Sequence, residues 1–299
     1  MLIYYNTREG LNDTNPYLAI ALLLLSVVLW GILVVRWFRN WILLPFKMKR
    51  NADYLLREGE HRDARILESL QGKTVNNTVE KKLTLGLKNF VGTDITEKLE
   101  LIDTRPSEMR YEKGKSIRLV IDKTLKLRPY MMVDGGQAGL NPGRIILLVV
   151  GWLVLTIAIV WYFYFSYTTE SNGYGWRFMK FYHPLVLCPL ILFLTRYGLG
   201  LLLKLFTGGD PGKLLHVKYF GVQTMADVVN ATQTGTYINE QPQVKFELRY
   251  RDTYGKTYTA ALKKIVSLID LGTVRQEKIS IFYLKENPSE VAFASDLDD

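Results

Sequence analysis

The sequence predicts a membrane protein with three transmembrane helices and two small antiparallel β-barrel or β-sandwich domains. Three observations carry that prediction. Apolar residues make up 48% of the 299 and gather in three long blocks instead of spreading along the chain. Gly72, Asn76 and Gly92 recur as Gly235, Asn239 and Gly255, each pair 163 positions apart. Within both copies, apolar and polar residues alternate with the period of two that marks a half-buried strand. Stacking repeats have periods of about 20 to 50 residues, so this longer one reads as a duplicated domain.

The elements follow in order. Residues 1–16 are expected to form a short extracytoplasmic N-terminus. From 17 to 38 the chain reads YLAIALLLLSVVLWGILVVRWF, uncharged until Arg36. About 20 apolar residues span a ~30 Å hydrocarbon core, whereas a helix of a soluble protein seldom stays apolar on every face for that length. Arg8, Glu9 and Asp13 before it are not the basic lead of a signal peptide, and no small-x-small cleavage pattern follows. The segment therefore reads as an uncleaved anchor. Residues 39–61 mix apolar side chains with Lys and Arg and are broken at Pro45. They suit a juxtamembrane segment lying along the inner surface, or a plain linker.

The first β-domain is expected at 62–134. It opens with a strand at 64–70, continues through alternating Leu83, Leu85 and Leu87, turns at Asn89–Gly92 and resumes at Ile95. Ile117, Leu119 and Ile121 mark a later strand, 130–133 a closing one, and Arg105 to Arg110 a single helical turn. A linker at 135–143 leads into the second span at 144–166, which carries no charge from Ile145 to Phe165. An extracytoplasmic loop at 167–183 and a third span at 184–206, interrupted by Arg196 and Lys204, come next. A second linker covers 207–219. The second β-domain, 220–299, repeats the strands with Phe246, Leu248 and Tyr250, turns at Asp252–Gly255, and resumes at Tyr258. Ser267 to Leu271 reads as its helical turn, and Ile279, Ile281 and Tyr283 match the late strand at a spacing of 162. Five or six strands in about 70 residues suit a small barrel or sandwich, and a curled barrel leaves less apolar surface exposed. Asn76 and Asn239 read as turn residues and not as a binding pair.

Lys and Arg near the membrane ends set orientation. Arg36, Arg39, Lys47, Lys49 and Arg50 follow the first block, against a single Arg8 before it. Lys123, Lys126, Arg128 and Arg144 precede the second, and Lys213 and Lys218 follow the third. The N-terminus is then outside and both β-domains are cytoplasmic. Trp37, Trp41, Trp161 and Trp176 fall where amphipathic rings anchor at headgroup level. Much of the net charge of +9 lies at these membrane ends, so membrane lipids, not nucleic acid, are its expected partners. Cys188 is the single cysteine, which excludes an internal disulfide framework.

No catalytic, cofactor or metal constellation emerges. His61, His183 and His216 are scattered, and the topology separates His183 from the other two, so each reads as solvated or interfacial. No P-loop, G-x-S-x-G or H-E-x-x-H pattern occurs. Arg196 stands out. Only eleven residues separate it from Pro184, so it is expected near mid-depth, where an arginine costs roughly 2.5–3.5 kcal/mol or more. Either it snorkels inward, or it meets a carboxylate or lipid headgroup contributed by a neighbour.

The second copy carries G-x-x-x-x-A-D-V at 221–228, T-G-x-x-I-N-x-x-P at 234–242, D-x-x-G-K-x-Y at 252–258 and Y-x-x-x-N-P at 283–288. These residues resemble an uncharacterised bacterial family of membrane-anchored small β-domains. The match is best over 221–294, and a degenerate first copy lies at 62–133, where Val79 replaces the proline. The resemblance implies one or two membrane helices beside a β-module in the bacterial inner (cytoplasmic) membrane, and no activity. The expected function is a non-enzymatic inner-membrane scaffold presenting two β-domains to protein partners, such as a component of an envelope or secretion assembly, with homo-oligomerisation left open. The alternative is a membrane-resident immunity protein against a toxin acting at the inner membrane.

Overall fold

The computed structural model describes residues 14–75, 78–207, 211–238, 241–266 and 277–297, with backbone alone at 199–207, 211 and 238. The chain divides into a helical unit, 1–51 with 137–203, and a β unit, 52–136 with 204–299.

In the helical unit, α1 (Pro16–Phe38) starts at Asn15, whose side chain accepts from the Tyr17 N–H at 2.9 Å, with Pro16 supplying a preset φ. A π-helical turn, Arg39–Leu43, joins it to α2 (Leu44–Glu58). Pro45 therefore does not break the chain direction as expected. It falls where the wider turn has already left the normal hydrogen-bond ladder, so its missing N–H disrupts little. The next helix, α3 (Pro142–Glu170), is capped by Asn141, which accepts from the Arg144 N–H at 3.2 Å. It runs a turn beyond the expected end of the second span. α3 lies beside α1, where Trp152 Nε1 donates to the Val34 carbonyl at 3.0 Å and its ring lies 5.1 Å from Phe38.

Helix α4 (Pro184–Thr207) begins at the expected residue. The Leu185 carbonyl accepts from Ser26 Oγ at 2.5 Å and Trp30 Nε1 at 3.0 Å, which sets the start of α4 against the middle of α1. The connector leading to it folds inward. Phe178 and Met179 are buried with Ala19, Leu22, Leu185 and Val186, so much of the expected 167–183 loop is packed structure. By length and composition the helix containing α1, and α3, can cross a bilayer, while the apolar stretch Pro184–Gly198 of α4 is shorter.

The β unit holds both copies. The first contains β1 (Glu60–Val75), β2 (Thr78–Lys88), β3 (Asp94–Asp103), β4 (Ser116–Ile121) and β5 (Met131–Val133). After helix α5 (Pro211–Phe220), the second contains β6 (Gly221–Ile238), β7 (Gln241–Arg251), β8 (Thr257–Ile265), β9 (Lys278–Leu284) and β10 (Val291–Phe293). Their strand orders, β3-β2-β1-β4-β5 and β8-β7-β6-β9-β10, are the same antiparallel path. Each sheet curls into a half-barrel. The helical turn expected near 105–110 is a short 3₁₀ turn at Pro106–Glu108, whereas Ser267 to Leu271 lies outside the described residues.

Both copies are entered in one way. A helix ends at glycine and the long first strand begins, at Gly59 and again at Gly221. A Cβ on Gly59 would meet the Leu55 carbonyl and the Val120 side chain, and one on Gly221 the Val217 carbonyl and Phe282. These contacts pair off at 162 positions, so helix-to-strand docking is duplicated along with the sheet.

The interiors differ in size. Phe246, Tyr250 and Tyr283 of the second copy stand where the first has Leu83, Leu87 and Ile121. The second half-barrel fills itself, with Phe246 against Phe293 at 5.4 Å and Tyr250 against Tyr283 at 5.2 Å, and β10 approaches β8 across its opening. Smaller side chains leave the first with a gap, and α5 fills it. Val217 and Tyr219 of α5, with Phe282, Leu284, Ala292 and Leu297, join the core of the first copy. Tyr219 is fully buried between Phe90 at 5.6 Å and Tyr130 at 6.0 Å. The expected linker 207–219 is thus largely a core helix. Leu214, Leu215, Val217, Tyr219 and Phe220 surround its axis, so no polar stripe advertises it.

Asn89 fixes this docking. Its Oδ1 accepts from the Val91 and Thr93 N–H groups at 3.1 and 2.9 Å, holding the β2–β3 turn. Its Nδ2 donates across the copies to the Lys218 carbonyl at 3.0 Å and the Gly221 carbonyl at 2.8 Å. The second copy has Asp252 here, which accepts from the Tyr254 and Lys256 N–H groups at 2.8 and 2.9 Å. The turn is common to both, but only the first copy carries the amide that grips its sibling.

Candidate functional site

The most site-like surface occurs twice. In β1 the pairing with β2 slips between Ile66 and Glu68, and in β6 the pairing with β7 slips between Val228 and Asn230. Each slip is a bulge that turns one apolar residue outward, Leu67 in the first copy and Val229 in the second, both exposed. A groove opens beside each on the outer face of the sheet. The first is about 560 Å³ and is lined by Leu67, Arg65, Gly86, Thr96 and Asp94; Leu67 lies across Gly86. The second is about 350 Å³ and is lined by Val229, Glu247, Arg249, Thr259 and Ala261. Gly86 and Arg249 correspond, as do Thr96 and Thr259, so the grooves are copies of one feature. They mix charges of both signs with an apolar rim.

Behind these faces the buried tyrosines stay protonated. Burial and the nearby Glu97 push Tyr130 up to about 12 and Tyr219 far above the usual range. Burial, then Tyr283 and Tyr258, push Tyr250 up to about 12, and its hydroxyl donates to the Pro288 carbonyl. That bond gives the Asn287-Pro288 turn of the second copy a structural task, as Asn287 also accepts from the Ser289 hydroxyl at 2.6 Å. Glu97 receives the Tyr130 hydroxyl at 3.4 Å and lies 3.2 Å from Lys218 Nζ, which ties β3, the residue before β5, and α5 together.

The repeat landmarks divide. Gly92 and Gly255 have φ of +87° and +81° in the two matched turns, where a side chain would be strained. Gly235 also has a positive φ of +78°, but Gly72 does not, and a Cβ there would meet Glu80. Asn76 and Asn239 lie outside the described residues. Trp37 stacks on Trp41 at 6.2 Å, and Trp161 is exposed against Phe165. Trp176 packs half-buried between Tyr167 and Phe178, against the connector core.

Arg196 lies among other basic side chains. Because α4 starts partway along α1, twelve residues carry it to the far end of α1, where it lines a pocket with Arg36, Arg39 and Asn40. His183 departs from expectation. It is buried, its Nδ1 accepts from the Leu185 N–H at 3.2 Å, and its Nε2 faces the Glu170 carboxylate at 3.4 Å. Inward folding of the connector removes it from water. Among the described residues, no three His, Cys, Asp or Glu side chains are grouped to hold a metal ion.

No protein-family model matches the chain, and no curated protein matches it. Among solved structures, it is similar to a chain described in "Structure and Conformational Change of a Replication Protein A Heterotrimer Bound to ssDNA". That match covers 75% of this chain and 43% of the other, at 8% identity and a TM-score of 0.17, too low to carry an argument.

Proposed function

We propose that the chain is a non-enzymatic scaffold of the bacterial inner membrane, with two cytoplasmic β modules that dock protein partners within a multi-subunit envelope or secretion assembly. The observation that carries this reading is the duplicated outer-face groove beside Leu67 and Val229. A shared core would account for matching strands alone. Matching bulges that present an apolar residue on both outer faces are features of a surface. α1 and α3 are the first two membrane crossings in this reading, and α4 with the folded connector before it makes the third. Docking of α5 into the first copy holds the two grooves in one compact unit. A partner engaging both would then meet the second at a high effective concentration.

The test is complex size. Leu67→Glu and Val229→Glu each introduce a charge on an exposed strand position, where folding costs are within about 0.5 kcal/mol. In native electrophoresis of mild-detergent extracts, each variant is expected to reduce the complex and the pair to leave the free chain. A double variant that runs at wild-type size, or a wild-type chain that runs alone, refutes the reading.

A further inference from the structure

The pocket that gathers Arg196 has a composition that specifies its occupant. It is about 620 Å³ and lies within the helical unit, between the end of α1 and the middle of α4. Arg36, Arg39 and Asn40 come from one side, Arg196 and Tyr197 from the other. The Arg36 guanidinium rests over the Tyr197 ring at 4.9 Å, so its position is fixed by packing.

Three guanidiniums lining one cavity repel one another unless an anion lies between them. The described residues of this unit do not supply it. Between residues 14 and 51 and between 137 and 203, Glu170 is the single acidic residue among those described, and it faces His183 beside the inward-folded connector. The anion therefore comes from elsewhere. Planar guanidinium forks match phosphate oxygens two at a time, which an ammonium cannot do. The rest of the lining is Gly31, Ile32 and Val35, an apolar strip continuous with the exposed face of α1. A ligand that fills both parts carries phosphate at one end and hydrocarbon at the other.

From this geometry we infer that the pocket binds the phosphate headgroup of an anionic phospholipid, with an acyl chain along Ile32 and Val35. Basic pockets between helices on the cytoplasmic side are suited to such headgroups. The inference rests on the membrane placement of α1, α3 and α4 proposed above. It assigns Arg196 a purpose that snorkelling alone lacks.

Native mass spectrometry of the full chain in mild detergent, titrated with phosphatidylglycerol, phosphatidylcholine or inorganic phosphate, provides the test. Wild type is expected to retain phosphatidylglycerol and not phosphatidylcholine, with no displacement by inorganic phosphate. Replacing Arg36, Arg39 and Arg196 by Gln is expected to weaken phosphatidylglycerol binding about tenfold or more, the loss of at least one charge-assisted bond. Lys47→Gln, Lys49→Gln and Arg50→Gln together remove the same charge outside the pocket and are expected to change binding by less than about threefold, because screening weakens distant charges. Arg196→Lys, which keeps the charge but loses the fork, should fall between them. Equal binding by the pocket variant and wild type, equal retention of phosphatidylcholine, or displacement by inorganic phosphate overturns the inference. Alkaline carbonate extraction separates the two failures. A wild-type chain that washes off the membrane overturns the placement and the inference together, whereas a retained chain with unchanged lipid selectivity in the pocket variant overturns the inference alone.

Discussion

Asn89→Asp separates the two tasks of one side chain. The carboxylate can still accept from the Val91 and Thr93 N–H groups, as Asp252 does in the equivalent turn of the second copy. It cannot donate, so the carbonyls of Lys218 and Gly221 lose bonds of 3.0 and 2.8 Å and face an oxygen instead. Asn89 is only 1% exposed, so water cannot take over the lost bonds. Each buried group left without its partner costs about 1–3 kcal/mol, which gives about 2–5 kcal/mol for the pair after some local relaxation. For a unit of this size, 1 kcal/mol corresponds to roughly 2–4 °C in Tm, so a fall of roughly 4–20 °C is expected. The mirror substitution Asp252→Asn keeps its accepting oxygen at an exposed turn and should change stability by less than about 0.5 kcal/mol. Thermal unfolding of the full chain in detergent, followed by near-ultraviolet circular dichroism, measures both. Trypsin cleavage after Lys218, buried in wild type, should accelerate in Asn89→Asp. If the two substitutions have equal effects, the amide grip between the copies is refuted.

Other consequences can be checked with the same assay. Tyr219→Ala empties the plug of the first half-barrel and is expected to cost about 3–5 kcal/mol, whereas Tyr219→Phe keeps the ring, loses the hydroxyl beside Glu97 and Met131 Sδ, and should cost less, about 1–2 kcal/mol. Gly59→Ala and Gly221→Ala should each destabilise by about 1–3 kcal/mol, since a Cβ meets backbone or a packed side chain at both sites. Burial opposes ionisation of Asp122, but bonds from the Leu127, Thr124 and Lys126 N–H groups outweigh it and hold the carboxyl below its usual 3.8. A carboxyl lowered in the folded state stabilises above its unfolded pKa and loses that contribution as pH falls through the folded one. The Tm gap between wild type and Asp122→Asn should therefore be full at pH 5 and close as the pH drops below about 3.8.

Much of the fold was legible because its signals are local. Alternation at Leu83, Leu85 and Leu87 and at Phe246, Leu248 and Tyr250 identified β2 and β7, and unbroken apolar runs identified α1 and α3. What escaped depends on contacts distant in sequence. α5 follows Gly and Pro and has no polar face, and the size difference between Leu87 and Tyr250 is the sequence's only sign of the gap it fills. The glycine pair at 59 and 221 has the same spacing of 162 as the late strands, and its role emerges only from the Cβ contacts across helix and sheet. The basic company of Arg196 depends on where α4 begins beside α1, which the distant Ser26 and Trp30 bonds to Leu185 set. Leu67 and Val229 escaped because a bulge is a property of strand pairing, which one strand's sequence does not display.

The most direct test of the scaffold reading is photocrosslinking in living cells, with a photoreactive residue at position 67 or 229 and a control at exposed Tyr254, away from both grooves. The account predicts discrete protein adducts at both groove positions, reduced at one groove when Leu67→Glu or Val229→Glu is introduced at the other because one partner engages both, and none at 254. Adducts equal at all three positions, or absent from both grooves, contradict it.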